Sequence, residues 1–150
     1  VKLQNSLVIL TLLLSACTTS PNSVDALKKW DDKYAECSNL AISNANPFPE
    51  SDWFNILSFE DKKTVIGYLY NYNNRQCIET ETKQLREALT RDGNESLLNI
   101  FSADLNPLED IARERIKHLN MSELMKLQQQ YPWPFNLTGV VEQLNLDSRH

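Results

Sequence analysis

The chain holds three glycines in 150 residues: Gly67, Gly93 and Gly139. That scarcity leaves no way to write a phosphate-cradling P-loop, a dinucleotide fingerprint or a G-x-S-x-G nucleophile elbow. Histidine is rarer still. Only His118 and His150 occur, with no CxxC or HExxH spacing beside them, so neither a metal nor any other cofactor is expected. The neighbouring acids Asp31-Asp32 and Glu79/Glu81 diverge on a helix and read as solvated face. His118, close to the end of a helix, reads as a cation favoured by the helix terminus. With no nucleophile–base pair in sight, the chain is not expected to be an enzyme.

Positive charge is in short supply as well. Fifteen Lys and Arg stand against twenty Asp and Glu, a formal net charge of −5. Such a balance is a poor match to a phosphate backbone, so nucleic acid is not expected as a partner. Nor does it offer a polybasic route to anionic lipid. Long apolar runs are missing too. The strongly apolar stretch Leu7–Leu14 has eight residues, where a spanning helix needs about 20. What remains, 41% hydrophobic and 23% charged, is ordinary globular composition in a length that suits one domain.

The first sixteen residues, VKLQNSLVILTLLLSA, place a lysine before an apolar core and small residues after it. Those are the parts of a secretory signal. They run into Leu14-Ser15-Ala16-Cys17, which resembles the lipobox of bacterial lipoproteins at every position. The resemblance covers only about the first 17 residues. It implies a signal peptide over 1–16, cleavage before Cys17, and lipid such as palmitate on the Cys17 thiol. Acyl chains contribute about 0.8 kcal/mol per buried CH₂ and so anchor a chain that has no spanning helix. In that family an aspartate after the cysteine marks inner-membrane retention. Thr18 stands there instead, which implies the outer membrane, facing the periplasm. Residues 17–23 then read as acylated cysteine and flexible tether, and 24–150 as a single helical domain.

With Cys17 acylated, Cys37 and Cys77 are left. Exported proteins mature where disulfides form, and an even pair fits one structural bridge; two free buried thiols are the alternative.

Along the domain, Val24, Leu27, Trp30, Tyr34, Cys37 and Ala41 follow helical spacing. Pro47 and Pro49 break that helix, Ser51 opens a short turn, and Ser58 with Asp61 forms a variant capping box. Phe59–Arg91 reads as one long helix ending at Gly93, with a bend near Asn73-Asn74 as a further option. Over 64–82 a hairpin is the competing pattern, since Tyr68, Tyr70 and Tyr72 alternate. Asn94, Pro107 and Ser122 each start a further short helix, and Thr138–Leu146 closes the chain. The expected fold is all-α, five to six helices in a small bundle, with the long central helix clipped to the first by Cys37–Cys77.

Aromatics gather around the prolines. Trp53 and Phe54 follow Pro47–Pro49, while Tyr131, Trp133 and Phe135 surround Pro132 and Pro134. Two roles fit these five: anchors for a protein partner, or plugs closing the ends of a helical core. The functional expectation is a lipid-anchored, non-enzymatic protein-binding or assembly module, by loose architectural analogy to helical pilotins. An envelope stress or exclusion factor is the alternative, and a cell-envelope hydrolase a more remote one.

Overall fold

A computed structural model of the chain describes residues 22–49 and 51–147. The expected signal peptide over 1–16, the expected lipidation site Cys17 and most of the expected tether lie outside the described residues. Among those described, the fold is all-helical, with no strand. The long elements are α1 (Ser23–Ser43), α3 (Phe59–Cys77) and α4 (Glu79–Arg91). Between α1 and α3 sits the single turn α2 (Asp52–Asn55). After α4 the chain proceeds through α5 (Glu95–Ile100), α6 (Ser102–Leu105), α7 (Leu108–Ile116), α8 (Met121–Gln130) and α9 (Leu137–Gln143).

Side chains start most of these helices. Asn22, Ser51, Ser58, Asn94, Asn120 and Asn136 each accept from a backbone N–H two or three residues on. This satisfies donors that the first helical turn leaves orphaned. Asn94, Asn120 and Asn136 also head Asn-x-Ser/Thr triplets, and capping is what the structure has them do. At the other end of α4, Gly93 has φ +65°, the left-handed geometry that lets a chain leave a helix abruptly.

The helices bury two apolar clusters. The larger joins Val65, Ile66 and Leu69 of α3 to Leu108 and Ile116 of α7, Leu124 and Leu127 of α8, and Val140 of α9. The smaller packs Ala26, Trp30 and Cys37 of α1 on Leu85, Ala88 and Leu89 of α4, closed by Leu105. The Trp30 indole also donates to Thr82 Oγ1 at 3.0 Å. The Cys37–Cys77 disulfide ties α1 to the last residue of α3 within the region of the smaller cluster.

The hairpin over 64–82 does not form; that stretch is helical. The helix is divided, however, and the division falls at Ile78 rather than Asn73-Asn74. Ile78 takes φ −108°, ψ 12°. Its side chain is buried in the smaller cluster, whereas the body of α3 faces the larger one. The chain must therefore turn between two cores at this residue. The count is also finer than five or six, because the short segments after Pro49 and Gly93 close as separate helical turns.

Candidate functional site

The two proline-containing loops dock on each other. Pro132 and Pro134 have no N–H, so the segment 131–135 cannot pair its backbone in a ladder, and side-chain amides take over. Asn73 Nδ2 donates to the carbonyls of Tyr131 at 2.7 Å and Trp133 at 2.9 Å. Asn44 Nδ2 donates to the Pro134 carbonyl at 2.8 Å. The Tyr131 hydroxyl donates in turn to the Asn46 carbonyl at 2.9 Å. Gln143 of α9 closes the arrangement by accepting from Phe48 N at 3.0 Å. Beneath this polar frame, Phe48 packs on Phe54 and Tyr131, and Tyr131 on Phe135, with ring centroids 5.1–5.4 Å apart.

This placement sorts the five aromatic candidates. Phe54, Tyr131 and Phe135 are buried in the larger core and present no surface to a partner, which corrects their candidacy as anchors. They were drawn inward because the proline loops have few backbone donors and are held by apolar packing instead. Trp53 is half-buried against the same core. Trp133 alone projects outward, at 64% exposure, from a backbone fixed on both sides. A large exposed ring on a fixed loop has little conformational freedom left to lose should it meet a partner.

A second constellation joins α3 to the end of α7. Ser58 Oγ donates to Asp61 Oδ2 at 2.8 Å while accepting from Asp61 N. His118 Nε2 lies 2.7 Å from Asp61 Oδ1. Serine, aspartate and histidine are thus together, but the carboxylate sits in the middle. A nucleophile triad needs the imidazole beside the hydroxyl, so this is a capped helix start gripped by an imidazole. His118 stands two residues past the end of α7, and its imidazole Nε2 faces the Asp61 carboxylate across the helix pair. The His118 hydrogen bond first, and that of Ser58 second, hold the Asp61 carboxyl below its ordinary value of 3.8. A carboxylate depressed in the folded state stabilises above its unfolded value, and that contribution is lost as pH falls through the lower folded value. Asp61→Asn is therefore expected to flatten the acid limb of the stability curve below pH 3.8. Urea midpoints measured across that range check this.

The third feature is a half-open groove of about 570 Å³ between α3 and the α6–α7 segment. The two helices run antiparallel: His118, just past α7, meets Asp61 at the start of α3. Near the end of α3, Arg75 donates to the Asn106 carbonyl at 2.6 Å and to the Ala103 carbonyl. Arg75 also lines a smaller hollow of about 310 Å³ on its other side. Leu108, Ile111, Ala112 and Ile116 form the α7 wall of the larger groove, and Thr64, Gly67 and Tyr68 its α3 wall. Gly67 lies mid-helix, where glycine costs about 0.5–1 kcal/mol relative to alanine. A Cβ there would meet nothing within 4 Å, so packing does not require glycine at this position. Sequence reasoning missed this groove; the lone mid-helix glycine was its one local signal.

Among the described residues no group of three His, Cys, Asp or Glu is placed to hold a metal ion, and no helix is long and apolar enough to cross a membrane. Compared with protein-family models, with curated proteins and with solved structures, the chain finds no match in any of the three.

Proposed function

We propose that this chain is a bacterial lipoprotein of the outer membrane, anchored by lipid on Cys17, whose helical body is a non-enzymatic protein-binding or assembly module of the periplasm. The address rests on Leu14-Ser15-Ala16-Cys17. The Cys37–Cys77 bridge agrees with export, since disulfides persist in oxidising compartments and are rare in the reducing cytosol. The observation that carries the binding role is Trp133, exposed on a loop that three side-chain amide bonds immobilise.

Two experiments separate address from role. Radiolabelled palmitate should enter the wild-type chain and leave Cys17→Ala unlabelled; labelling of both alike overturns the anchor. For the role, crosslinking in intact envelopes should yield a defined adduct with the wild-type chain. Trp133→Ala should lose it, at an affinity cost of about 2 kcal/mol or more. Because Trp133 is exposed, the same substitution should leave stability within about 0.5 kcal/mol. An adduct that survives Trp133→Ala unchanged removes this ring as the anchor.

A further inference from the structure

Two cations meet at one end of the groove between α3 and α7, beside the acid Glu60, while Arg75 and Asp104 stand at the other. Lys63 stands near the start of α3 and Arg115 near the end of α7, and the antiparallel arrangement brings both to the same mouth. On α7 Arg113 is paired with Asp110, and Lys117 just past it with Glu114. Arg115, between them, has no ion pair among the described residues. Lys63 has a loose partner in Glu60, 3.8 Å away. At the opposite end Arg75 is committed to backbone carbonyls. Along α3 the groove runs from Glu60 to Arg75, fifteen helical steps or about 22 Å.

Between the two ends the α7 wall is apolar, while Thr64, Tyr68 and Asn71 put polar atoms on the α3 wall. Ile111 is half exposed there, and Leu108, Ala112 and Ile116 lie beneath. Gly67 leaves bare backbone on the floor, and its carbonyl is already taken by Asn71 Nδ2 at 2.7 Å. A polymethylene chain laid over Gly67 and against the α7 wall meets bare backbone and apolar side chains, and brings no backbone groups of its own to satisfy. The volume falls in the range of small-ligand sites, about 300–1,000 Å³.

We infer that this groove binds a single-chain fatty carboxylate, the alkyl chain lying over Gly67 between α3 and α7 and the carboxylate meeting Arg115 and Lys63. The glycine then has a reason that packing does not supply. It clears the path of the chain, and a local rule broken without structural return marks a functional position. Arg115 supplies the charged hydrogen bonds that set the direction of entry.

Calorimetric titration of the full chain, oxidised and carrying Cys17→Ser, tests this with dodecanoate below its micellisation concentration. The expected result is saturable binding of one dodecanoate, with no binding of acetate. Gly67→Leu should weaken it about tenfold or more, since each 1.4 kcal/mol is a factor of ten. Thermal unfolding should show Gly67→Leu folded, because its Cβ enters open space; Gly67→Ala serves as the smaller step should leucine disturb the helix. Arg115→Gln should weaken dodecanoate about five- to tenfold yet leave uncharged dodecanol unchanged. Absence of saturable dodecanoate binding overturns the inference, as does equal binding by Gly67→Leu. Equal loss of dodecanoate and dodecanol in Arg115→Gln overturns the assigned head position. An acidic amphipathic peptide that occupies the groove where dodecanoate does not would reassign the site to a protein.

Discussion

Replacing both Cys37 and Cys77 by serine is expected to lower the stability of the oxidised protein by about 3–4 kcal/mol. The bridge closes a separation of 40 residues, and the chain-entropy cost of opening such a loop in the unfolded state is about 4 kcal/mol. The loss should be felt unevenly. The α1–α4 core is the smaller of the two, and the bridge is the covalent tie between that core's α1 and the end of α3. For a domain of this size the loss corresponds to a fall in the melting temperature of about 10 °C or more. Urea unfolding of the wild type and the double serine variant, both under oxidising conditions, measures it. A difference below about 1 kcal/mol would mean that apolar packing of α1 on α4 suffices without the bridge.

The second large effect is at Asn73, the buried polar residue of the larger core region, with 0% exposure. Its amide nitrogen serves two carbonyls of the proline loop. Its amide oxygen has no partner among the described residues. Asn73→Ala removes that orphaned oxygen but strands the carbonyls of Tyr131 and Trp133. Each unmet buried group costs about 1–3 kcal/mol, so the net loss should be about 2–4 kcal/mol. Asn73→Asp keeps the shape but turns a carboxylate oxygen toward two carbonyl oxygens, and should be worse than alanine by about 1 kcal/mol or more. Thermal unfolding ranks the three proteins. An aspartate variant as stable as the wild type would show that the loop does not depend on this donor.

The fold was legible wherever the signal was local. Ser51, Ser58 and Asn94 announce helix starts, and each caps one. The stripe along α1 was right in spacing and partly wrong in phase: Trp30, Cys37 and Ala41 are buried, but Val24 is 74% exposed and Ala26 takes its place. The Cys37–Cys77 pairing followed from counting cysteines once Cys17 was set aside. What stayed hidden depends on distant partners. Ile78 breaks a helix without glycine or proline because two cores compete for neighbouring side chains. Asn73 resembles a turn residue, yet it serves a loop 58 residues away. The groove is built from helices some forty residues apart, so no window of sequence contains it. Of the aromatic candidates, composition could not separate Trp133 from Phe135, because the two differ only in which side of a fixed loop they take.

The disulfide also gives the molecule a line along which force can travel. Ser23 N is tied to Asp92 Oδ2 at 2.9 Å at the top of α1, and 21 residues of helix carry the chain about 31 Å onward. A pull applied before Asn22 and resisted at Trp133 would run down that rod to Cys37. There it crosses a covalent bond to Cys77, climbs one turn of α3 to Asn73, and ends on the carbonyls flanking Pro132. Every step is a helix, a sulfur–sulfur bond or a buried amide contact. A pull along this line would load the disulfide and the Asn73 amide contacts in series.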